Sequence, residues 1–288
     1  MPDEEVSAND CLVPSSLLSE LGDKGRLDEW AAPDRIASRD CVPLSDLVRR
    51  AAAWLPAVVK VVTDEPASGG VGVRLCRTID DLEDARDAMA SCEIVVVEEW
   101  LEFTRSECLT YAVGPEGDVR YVGAAQQIVT GMRFRGNRVD DTRPPAAAVE
   151  AGGEIAARAA KRGYMGFVGI DYGLLDDGRI RILDLNFRIN ASTPLVVLRQ
   201  AMLEAIGAHH AISASWTSML SFAEFIDAIR TGWDLGWLQP LVVFDPEASP
   251  LGGPPLLLAI LVGADEDELA RRTARLANRG LTPLFPSF

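Results

Sequence analysis

Apolar and polar residues alternate most regularly between residues 167 and 185, where two largely apolar segments flank an Asp177-Gly178 turn. An Asp-Gly pair between two alternating segments is typical of a β-hairpin. Successive side chains of a strand point to opposite faces of the sheet. A hairpin centred on this turn therefore places Asp171 on the first strand roughly opposite Asp184 on the second.

The polar side chains of this hairpin form a candidate metal site. Asn186 lies two positions after Asp184 and shares its face, and Arg188 lies two positions further on. Like charges directly opposite each other destabilise a sheet, so the two acids require a compensating cation. Oxygen ligands without a neighbouring His or Cys suit Mg²⁺, which usually binds together with substrate phosphates. Asp171, Asp184 and Asn186 are therefore predicted metal ligands, and an ordinary hairpin with exposed acids is the alternative.

The same periodicities predict a chain of the α+β class. Predicted helices cover residues 17–21, 24–32, 46–53, 79–90, 144–162, 195–206, 221–231 and 265–278. Predicted strands cover residues 57–62, 73–76, 93–101, 107–113, 119–122, 241–244 and 256–261, and residues 124–132 are a strand or a loop. The polar segment 132–142 is expected to be a solvated basic loop, with an anion-binding lid as the alternative.

A glycine-rich segment follows a predicted strand that contains a lysine. Lys60 lies within a run of valines, where a lysine is rarely buried unless it is paired. Residues 63–72 contain the glycines but no GxxxxGK[ST] motif, which excludes the P-loop. A further strand follows where the dinucleotide fingerprint requires a helix, so that fingerprint is excluded too. The remaining interpretations are a flexible hairpin flap whose N–H groups close over phosphates, and a plain loop.

Charge and composition narrow the classes of partner. The chain has 43 acidic and 28 basic residues, a net charge of −15, which argues against nucleic acid or an anionic membrane as the main partner. The acidic N-terminus is not a signal peptide, and the longest apolar run, Leu256–Val262, is too short to span a bilayer. The five scattered cysteines lack metal-site spacing and predict free thiols in a reducing, cytoplasmic compartment.

Histidine chemistry is also largely excluded. The only two histidines are the adjacent His209 and His210, near the end of a helix-like run, where a C-terminal capping role is expected. A His-rich zinc site is therefore excluded. The chemistry is expected to come from carboxylates, lysines, arginines and a metal.

Two further motifs are Gly22-Asp23-Lys24 near the N-terminus and Val97-Glu98-Glu99-Trp100-Leu101 at the end of a predicted strand. Taken in order with the motifs above, they resemble the ATP-grasp superfamily between Leu21 and Thr193. The resemblance implies two lobes, each with a mainly antiparallel sheet and helices, with the nucleotide between them. It divides the chain into a tail (1–18), an N-terminal lobe with the flap (19–95), a C-terminal lobe with the metal site (96–195) and a C-terminal extension (196–288). The superfamily's usual N-terminal domain is expected to be missing, with a partner protein or a homo-oligomer in its place.

The resemblance also implies roles for individual residues. Lys24 and Lys60 would bind the phosphates of ATP, and they would face the metal bound by Asp171, Asp184 and Asn186 across a nucleotide-sized gap. Arg188 would steady the transferred phosphate, so Lys60 and Arg188 are the expected catalytic residues. The predicted phosphate-binding residues of the flap are Ser68, Gly69, Gly70 and Gly72. In the adenine hinge, Glu98 would accept from the adenine amino group, and the backbone of Glu99, Trp100 and Leu101 would contact the ring edge. Glu107 would bind the ribose hydroxyls, with Glu102 as the less favoured alternative. Arg133 and Arg135 are candidates for the substrate carboxylate, and Gln126 and Gln127 are weaker ones.

The expected activity is that of a Mg²⁺-dependent ligase. ATP would phosphorylate a substrate carboxylate, and an amine would then displace phosphate to form an amide. Positioning and electrostatics supply most of the rate in such a reaction, so no histidine is required. The alternatives are a non-catalytic ATP-binding subunit, a kinase of the same fold, and an α/β protein with fortuitous loops.

Overall fold

The computed structural model describes residues 12–62, 72–250 and 252–284. The chain divides into two compact units. The first comprises Met1–Gly123, Thr130–Phe134 and Pro144–Asn190, and the second comprises Ala124–Val129, Arg135–Arg143 and Ala191–Phe288.

The N-terminal part of the first unit contains a four-stranded antiparallel sheet. Its helices are α1 (Ser15–Gly22), α2 (Leu27–Trp30), α3 (Leu47–Ala51) and α4 (Ile79–Ala88), with 3₁₀ turns at Lys24–Arg26, Pro33–Arg35, Leu44–Asp46 and Ala52–Trp54. Its strands are β1 (Arg39–Pro43), β2 (Ala57–Val61), β3 (Val73–Cys76) and β4 (Ile94–Glu99), in the order β1-β4-β2-β3. The predicted pair of strands around the glycine-rich segment is confirmed, because β2 pairs with β3 in antiparallel register.

The two faces of this sheet have different compositions. Val42, Val59 and Val97 point to one face, where they form an apolar core with side chains of α3 and α4. Alternation along the strands places Lys60 of β2 and Glu98 of β4 on the other face. The sheet therefore has one apolar face for folding and a second face that carries charged groups.

The rest of the first unit contains the predicted hairpin. Its elements are β5 (Arg105–Val113), part of β6 (Val119–Thr130), part of β7 (Arg133–Val139), α5 (Ala146–Lys161), β8 (Gly166–Leu174) and β9 (Ile180–Asn186). Strand β8 pairs with both β5 and β9 in antiparallel register. The predicted pairing of Asp171 with Asp184 is confirmed, with a β-bulge between Asp171 and Tyr172.

Helix α5 covers this sheet closely at one glycine. Tyr111 of β5 is buried and its hydroxyl donates to the Val149 carbonyl at 2.6 Å. A Cβ atom at Gly152 would lie 2.6 Å from that hydroxyl oxygen. The glycine thus allows the helix to approach the sheet that positions the acids of β8 and β9.

The second unit is also α+β. Its elements are α6 (Thr193–Ile206), β10 (His210–Ser218), α7 (Phe222–Asp234), β11 (Leu238–Phe244), β12 (Leu256–Gly263), α8 (Glu266–Asn278) and β13 (Leu281–Pro283). The strands follow the order β11-β12-β10-β7, and β13 pairs with β10. Among the described residues, no helix has the length and apolar character needed to cross a bilayer.

Two predictions about irregular segments are wrong. Residues 132–142 are not a basic loop, because they contain β7, which pairs with β10. The backbones approach so closely there that a Cβ atom at Gly136 would clash with the Ser213 carbonyl. The histidines do not cap a helix, since α6 ends at Ile206 and Gly207 takes the left-handed cap conformation at φ 62°. His210 is instead the first residue of β10.

Candidate functional site

Two lysines from different elements reach the same strand. Lys24 lies in the 3₁₀ turn after α1, and the Asp23 side chain caps this turn by accepting a hydrogen bond from the Gly25 N–H at 2.7 Å. Lys24 Nζ lies 2.9 Å from Asp184 Oδ2, and Lys60 Nζ donates to the Leu183 carbonyl at 3.0 Å. The two ammonium groups therefore meet consecutive residues of β9.

The structure corrects one spatial expectation about these lysines. An arrangement in which they face the acids across a nucleotide-sized gap is not observed, because Lys24 contacts Asp184 directly. The attraction between an ammonium group and a partly buried carboxylate explains the contact, since such pairs are screened less than fully exposed ones. Lys24, Lys60 and Asp184 line a single pocket of the first unit.

Lys60 is buried and paired, as its position among valines predicts. Its side chain lies 2.6 Å from Glu98 Oε2, and both residues are less than a tenth exposed. An ammonium group has three N–H donors, and two of them are directed to Glu98 and Leu183. Among the residues that the structure describes, no acceptor is found for the third, so it can donate to a ligand in the pocket.

The predicted adenine hinge lies at the end of β4. Glu99 Oε1 accepts hydrogen bonds from the Ser38 N–H at 2.9 Å and from its hydroxyl at 3.0 Å. Trp100 follows the strand and donates its N–H to the Pro56 carbonyl at 3.2 Å, and Leu101 is the next residue. These contacts hold the hinge segment to the start of β1 and the start of β2.

The predicted metal ligands share one face of the β8–β9 hairpin. Asn186 Nδ2 lies 3.4 Å from Asp171 Oδ2, and Asp171 pairs with Asp184. Within the described ranges, no group of three or more His, Cys, Asp or Glu side chains is suited to a metal. Two carboxylates and one amide oxygen instead match Mg²⁺, which takes few protein ligands and relies on phosphates and water. The donor set therefore fits Mg²⁺ bound together with a nucleotide.

Glu107, the predicted ribose ligand, lies inside the β5–β8 ladder. It is 4% exposed, the Tyr172 hydroxyl donates to its carboxylate, and Arg105 Nε lies 3.3 Å from Oε1. Burial raises the pKa of Tyr172 and the bond to Glu107 raises it further, so the phenol stays protonated. The ribose role of Glu107 stays a prediction.

The remaining predicted residues are distributed over both units. Arg188 is partly buried after β9, and its N–H donates to the Asn186 carbonyl at 2.9 Å. Arg133 belongs to the first unit, whereas Arg135 belongs to the second. Gln126 and Gln127, the weaker candidates, also belong to the second unit.

The predicted flap lies largely outside the described residues. Ser68, Gly69 and Gly70 are not among them. Gly72 is described and has φ +83°, and its carbonyl accepts the Val61 N–H at 2.9 Å. This conformation explains the glycine at the start of β3.

Arg39 is a cation of the pocket that is not among the predicted site residues. Arg39 is the first residue of β1, lies opposite Glu98 and lines the pocket with both lysines. No local pattern indicates this role, because an arginine after a serine at the start of a short strand is ordinarily exposed. Its burial depends on the distant strand β4.

Comparison with known proteins identifies the family. A family model described as "L-aspartate--L-methionine ligase, ATP grasp" matches residues 37–186, just over half of the chain. The chain belongs to this ATP-grasp family. It is an ATP-dependent carboxylate–amine ligase, and ATP with Mg²⁺ is the usual cofactor set of ATP-grasp ligases.

Solved structures share the ATP-grasp fold. The carboxyaminoimidazole ribonucleotide synthase of Aspergillus clavatus, complexed with ATP, is 14% identical with a TM-score of 0.62, over 90% of this chain and 72% of that chain. The N5-carboxyaminoimidazole ribonucleotide synthetase of Thermus thermophilus is 14% identical with a TM-score of 0.60, over 95% and 76% respectively. The biotin carboxylase domain of the Hydrogenobacter thermophilus 2-oxoglutarate carboxylase, in complex with MgADP, is 14% identical with a TM-score of 0.60, over 91% and 67%. At these identities the likeness concerns the fold, and it confirms the predicted ATP-grasp architecture.

Proposed function

We propose that the pocket around Lys24 and Lys60 is where this ligase activates the carboxylate of one amino acid and joins it to the amine of another. The family description names L-aspartate and L-methionine, and we propose this pair as the substrates. The proposal rests on one observation, the convergence of Lys24 and Lys60 on Asp184 and Leu183 of β9, at 2.9 Å and 3.0 Å.

The two lysines bind the phosphates of ATP in different ways. Lys60 keeps Glu98 and the Leu183 carbonyl as partners and directs its third N–H to a phosphate oxygen. Lys24 is less buried than Lys60, and it exchanges the Asp184 carboxylate for phosphate when ATP binds. The segment from Glu99 to Leu101 presents its backbone to the adenine edge, as the ATP-grasp resemblance implies. It does so through groups other than the Glu99 and Trp100 N–H, which donate to the Ser38 and Pro56 carbonyls.

The reaction then proceeds in two displacements. A carboxylate oxygen of the acid attacks the γ-phosphorus of ATP, the bond to the β-phosphate oxygen breaks, and ADP leaves. The amine attacks the resulting acyl phosphate, phosphate leaves with the bonding electron pair, and the amine loses a proton to give the amide. Lys60 and Arg188 stabilise the negative charge that develops on the transferred phosphoryl oxygens.

Asp171, Asp184 and Asn186 would hold the metal. When bound, Mg²⁺ neutralises charge on the phosphates during transfer. The three side chains supply two negative charges and one neutral oxygen, which leaves coordination positions for phosphate oxygens and water. When Lys24 moves to phosphate, Asp184 becomes available as a ligand.

A phosphate-release assay with product analysis tests this proposal. The protein with ATP and Mg²⁺ should release phosphate and ADP only when L-aspartate and L-methionine are both present, and mass spectrometry should find their dipeptide. Phosphate release with other amino-acid pairs only would refute the proposed substrates. A stable phosphorylated product formed without an amine would indicate a kinase instead.

We also propose a cytoplasmic location and assembly with a second subunit. Cys41, Cys76, Cys92 and Cys108 are free thiols, which fits a reducing compartment. Met219, exposed to 96%, and the half-exposed Trp233 are apolar side chains that support assembly, either with another copy or with a partner protein. Light scattering of the purified protein tests self-association, and a monomer at working concentration would leave only a partner protein.

A further inference from the structure

Arg39 is a buried cation in the pocket of the two lysines. Its side chain is 7% exposed, and so is that of Glu98, directly opposite on β4. Arg39 Nη1 lies 3.7 Å from Glu98 Oε1, which is longer than a hydrogen bond. A charged group this deeply buried is costly to desolvate, so its retention in the pocket calls for a function.

The other end of this guanidinium holds the turn that carries Lys24. Arg39 Nη2 donates to the Lys24 carbonyl oxygen. Cys41, which lies on the same face of β1, donates its thiol to the next carbonyl, that of Gly25, at 3.6 Å. Two side chains of one strand therefore bind consecutive carbonyls of the Lys24 turn.

The hinge segment fixes the strand from which these side chains project. Ser38, just before Arg39, accepts one backbone hydrogen bond, in which the Glu99 N–H donates to the Ser38 carbonyl at 3.0 Å. The Glu99 carboxylate in turn accepts from the Ser38 N–H and hydroxyl. A continuous set of contacts thus runs from the predicted adenine hinge through Arg39 to Lys24.

We propose that Arg39 is a positioning residue that holds Lys24 in place for the phosphates of ATP. The planar guanidinium spans the Lys24 carbonyl and the Glu98 side chain, which a single ammonium group cannot do with the same geometry. Arg39 and Lys60 both lie beside the Glu98 carboxylate. Because Lys60 does not have to neutralise this carboxylate alone, it retains an N–H donor for phosphate. The inference rests on the proposed nucleotide site and not on the identity of the amino-acid substrates.

Nucleotide binding in a double-mutant cycle tests the proposal. ATP affinity of the full chain is measured by calorimetry with Mg²⁺ and without amino acids, for wild type, Arg39→Met, Lys24→Met and the double variant. Arg39→Met should weaken ATP binding about tenfold, which corresponds to about 1.4 kcal/mol. In the Lys24→Met background the same change should have little further effect, because the residue that Arg39 positions has lost its ammonium group.

A matched control exists one residue along the same strand. Asp40 points to the opposite face of β1 and forms an exposed ion pair with Arg50 at 2.7 Å. Arg50→Met removes an arginine–acid pair from this strand without touching the pocket, and ATP affinity should not change. Arg39→Lys should bind ATP with intermediate affinity, and it replaces Arg39→Met in the cycle if the latter does not fold.

The possible results distinguish a failure of the positioning role of Arg39 from a failure of the proposed nucleotide site. Unchanged affinity in Arg39→Met with weakened affinity in Lys24→Met would overturn the positioning role alone. If the losses of ATP affinity in the two single variants add up in the double variant, the positioning role is also overturned. Arg39 would then contact the nucleotide itself. Unchanged affinity in Lys24→Met would refute the nucleotide site and this inference together.

Discussion

The buried charges of Lys60, Arg39 and Glu98 lie close together in the pocket of the candidate site. Lys60 and Glu98 lie 2.6 Å apart, both largely removed from solvent, and Arg39 adds a second positive charge near Glu98. Removing one partner of such a pair leaves an uncompensated buried charge, which is strongly destabilising. Substitutions of Glu98 are therefore poor probes of function, whereas the more exposed Asp184 is a better one.

Asp184→Asn tests the proposed metal site with a substitution that should leave the fold intact. The amide keeps the shape of the side chain but loses the charge that pairs with Lys24 and that, under the proposal, would hold Mg²⁺, so we expect turnover to fall about 10²- to 10³-fold. Some affinity for ATP should persist, because Lys60 and the hinge are intact. Asp177→Asn, an exposed acid at the turn of the same hairpin, is the control and should retain full turnover. Wild-type turnover in Asp184→Asn would contradict the assignment of the metal site.

Gly72→Ala tests the conformation at the base of the flap. The position has φ +83°, and an added Cβ would lie 2.6 Å from Val61 Cγ2. Gly178→Ala is the matched control, because Gly178 has φ +82° but open space around it. We expect the control to lose about 1 kcal/mol of unfolding free energy from backbone strain alone, and Gly72→Ala to lose more. Urea denaturation measures both, and equal losses would show that Val61 moves aside without cost.

At the scale of elements, local sequence signals account for the site hairpin. The register of Asp171 with Asp184 follows from alternation and from the Asp-Gly turn, which are properties of adjacent residues. The buried Lys60 was identifiable for a similar reason, since its neighbours are valines.

Other elements depend on distant partners and were missed for that reason. Strand β1 is short and polar and exists because it pairs with β4, and β7 exists because it pairs with β6 and β10. Arg39 lies in β1, so its burial against Glu98 follows only from the three-dimensional pairing. Non-local pairing is not encoded in the periodicity of a single segment.

Helix α4, which covers the apolar face of the four-stranded sheet, begins with a capping box. Thr78 Oγ1 accepts the Asp81 N–H at 3.1 Å, and the Asp81 carboxylate accepts the Thr78 N–H at 2.9 Å. Thr78→Ala should lower the unfolding free energy by about 1 kcal/mol in urea denaturation at neutral pH. An unchanged unfolding free energy would show that the cap contributes nothing.

The capping box of Thr78 and Asp81 also makes the stability of the protein depend on pH, in a direction that follows from the pKa of Asp81. The N–H groups of Arg77 and Thr78 lower the pKa of Asp81 below its usual 3.8. Its stabilising effect is therefore fully present above pH 3.8 and is lost as pH falls through the lowered value. Asp81→Asn should be less stable than wild type at pH 7, and this difference should shrink in acid. Asp84→Asn, an exposed charge in the middle of the helix, is the control and should not show the trend. A difference that persists unchanged in acid would contradict this role.

For the whole molecule, the predicted phosphate and metal ligands among the described residues all belong to the first unit. The net charge of −15 belongs to the chain as a whole, and the local field of the pocket depends on the charged side chains that line it. Lys24, Lys60 and Arg39 line the pocket together with Asp23, Glu98 and Asp184, so its formal charges balance although the chain is acidic. The position of the three cations in one pocket is the structural basis of the account.

The most direct test of carboxylate activation by ATP is to follow a carboxylate oxygen of L-aspartate into the released phosphate. L-Aspartate labelled with ¹⁸O in its carboxylates is incubated with the protein, ATP, Mg²⁺ and L-methionine, and the released phosphate is analysed by mass spectrometry. An acyl phosphate intermediate predicts one ¹⁸O atom in each phosphate released, in step with dipeptide formation. Dipeptide formed with unlabelled phosphate, or with label recovered in AMP, would contradict carboxylate activation by the γ-phosphate of ATP at this site.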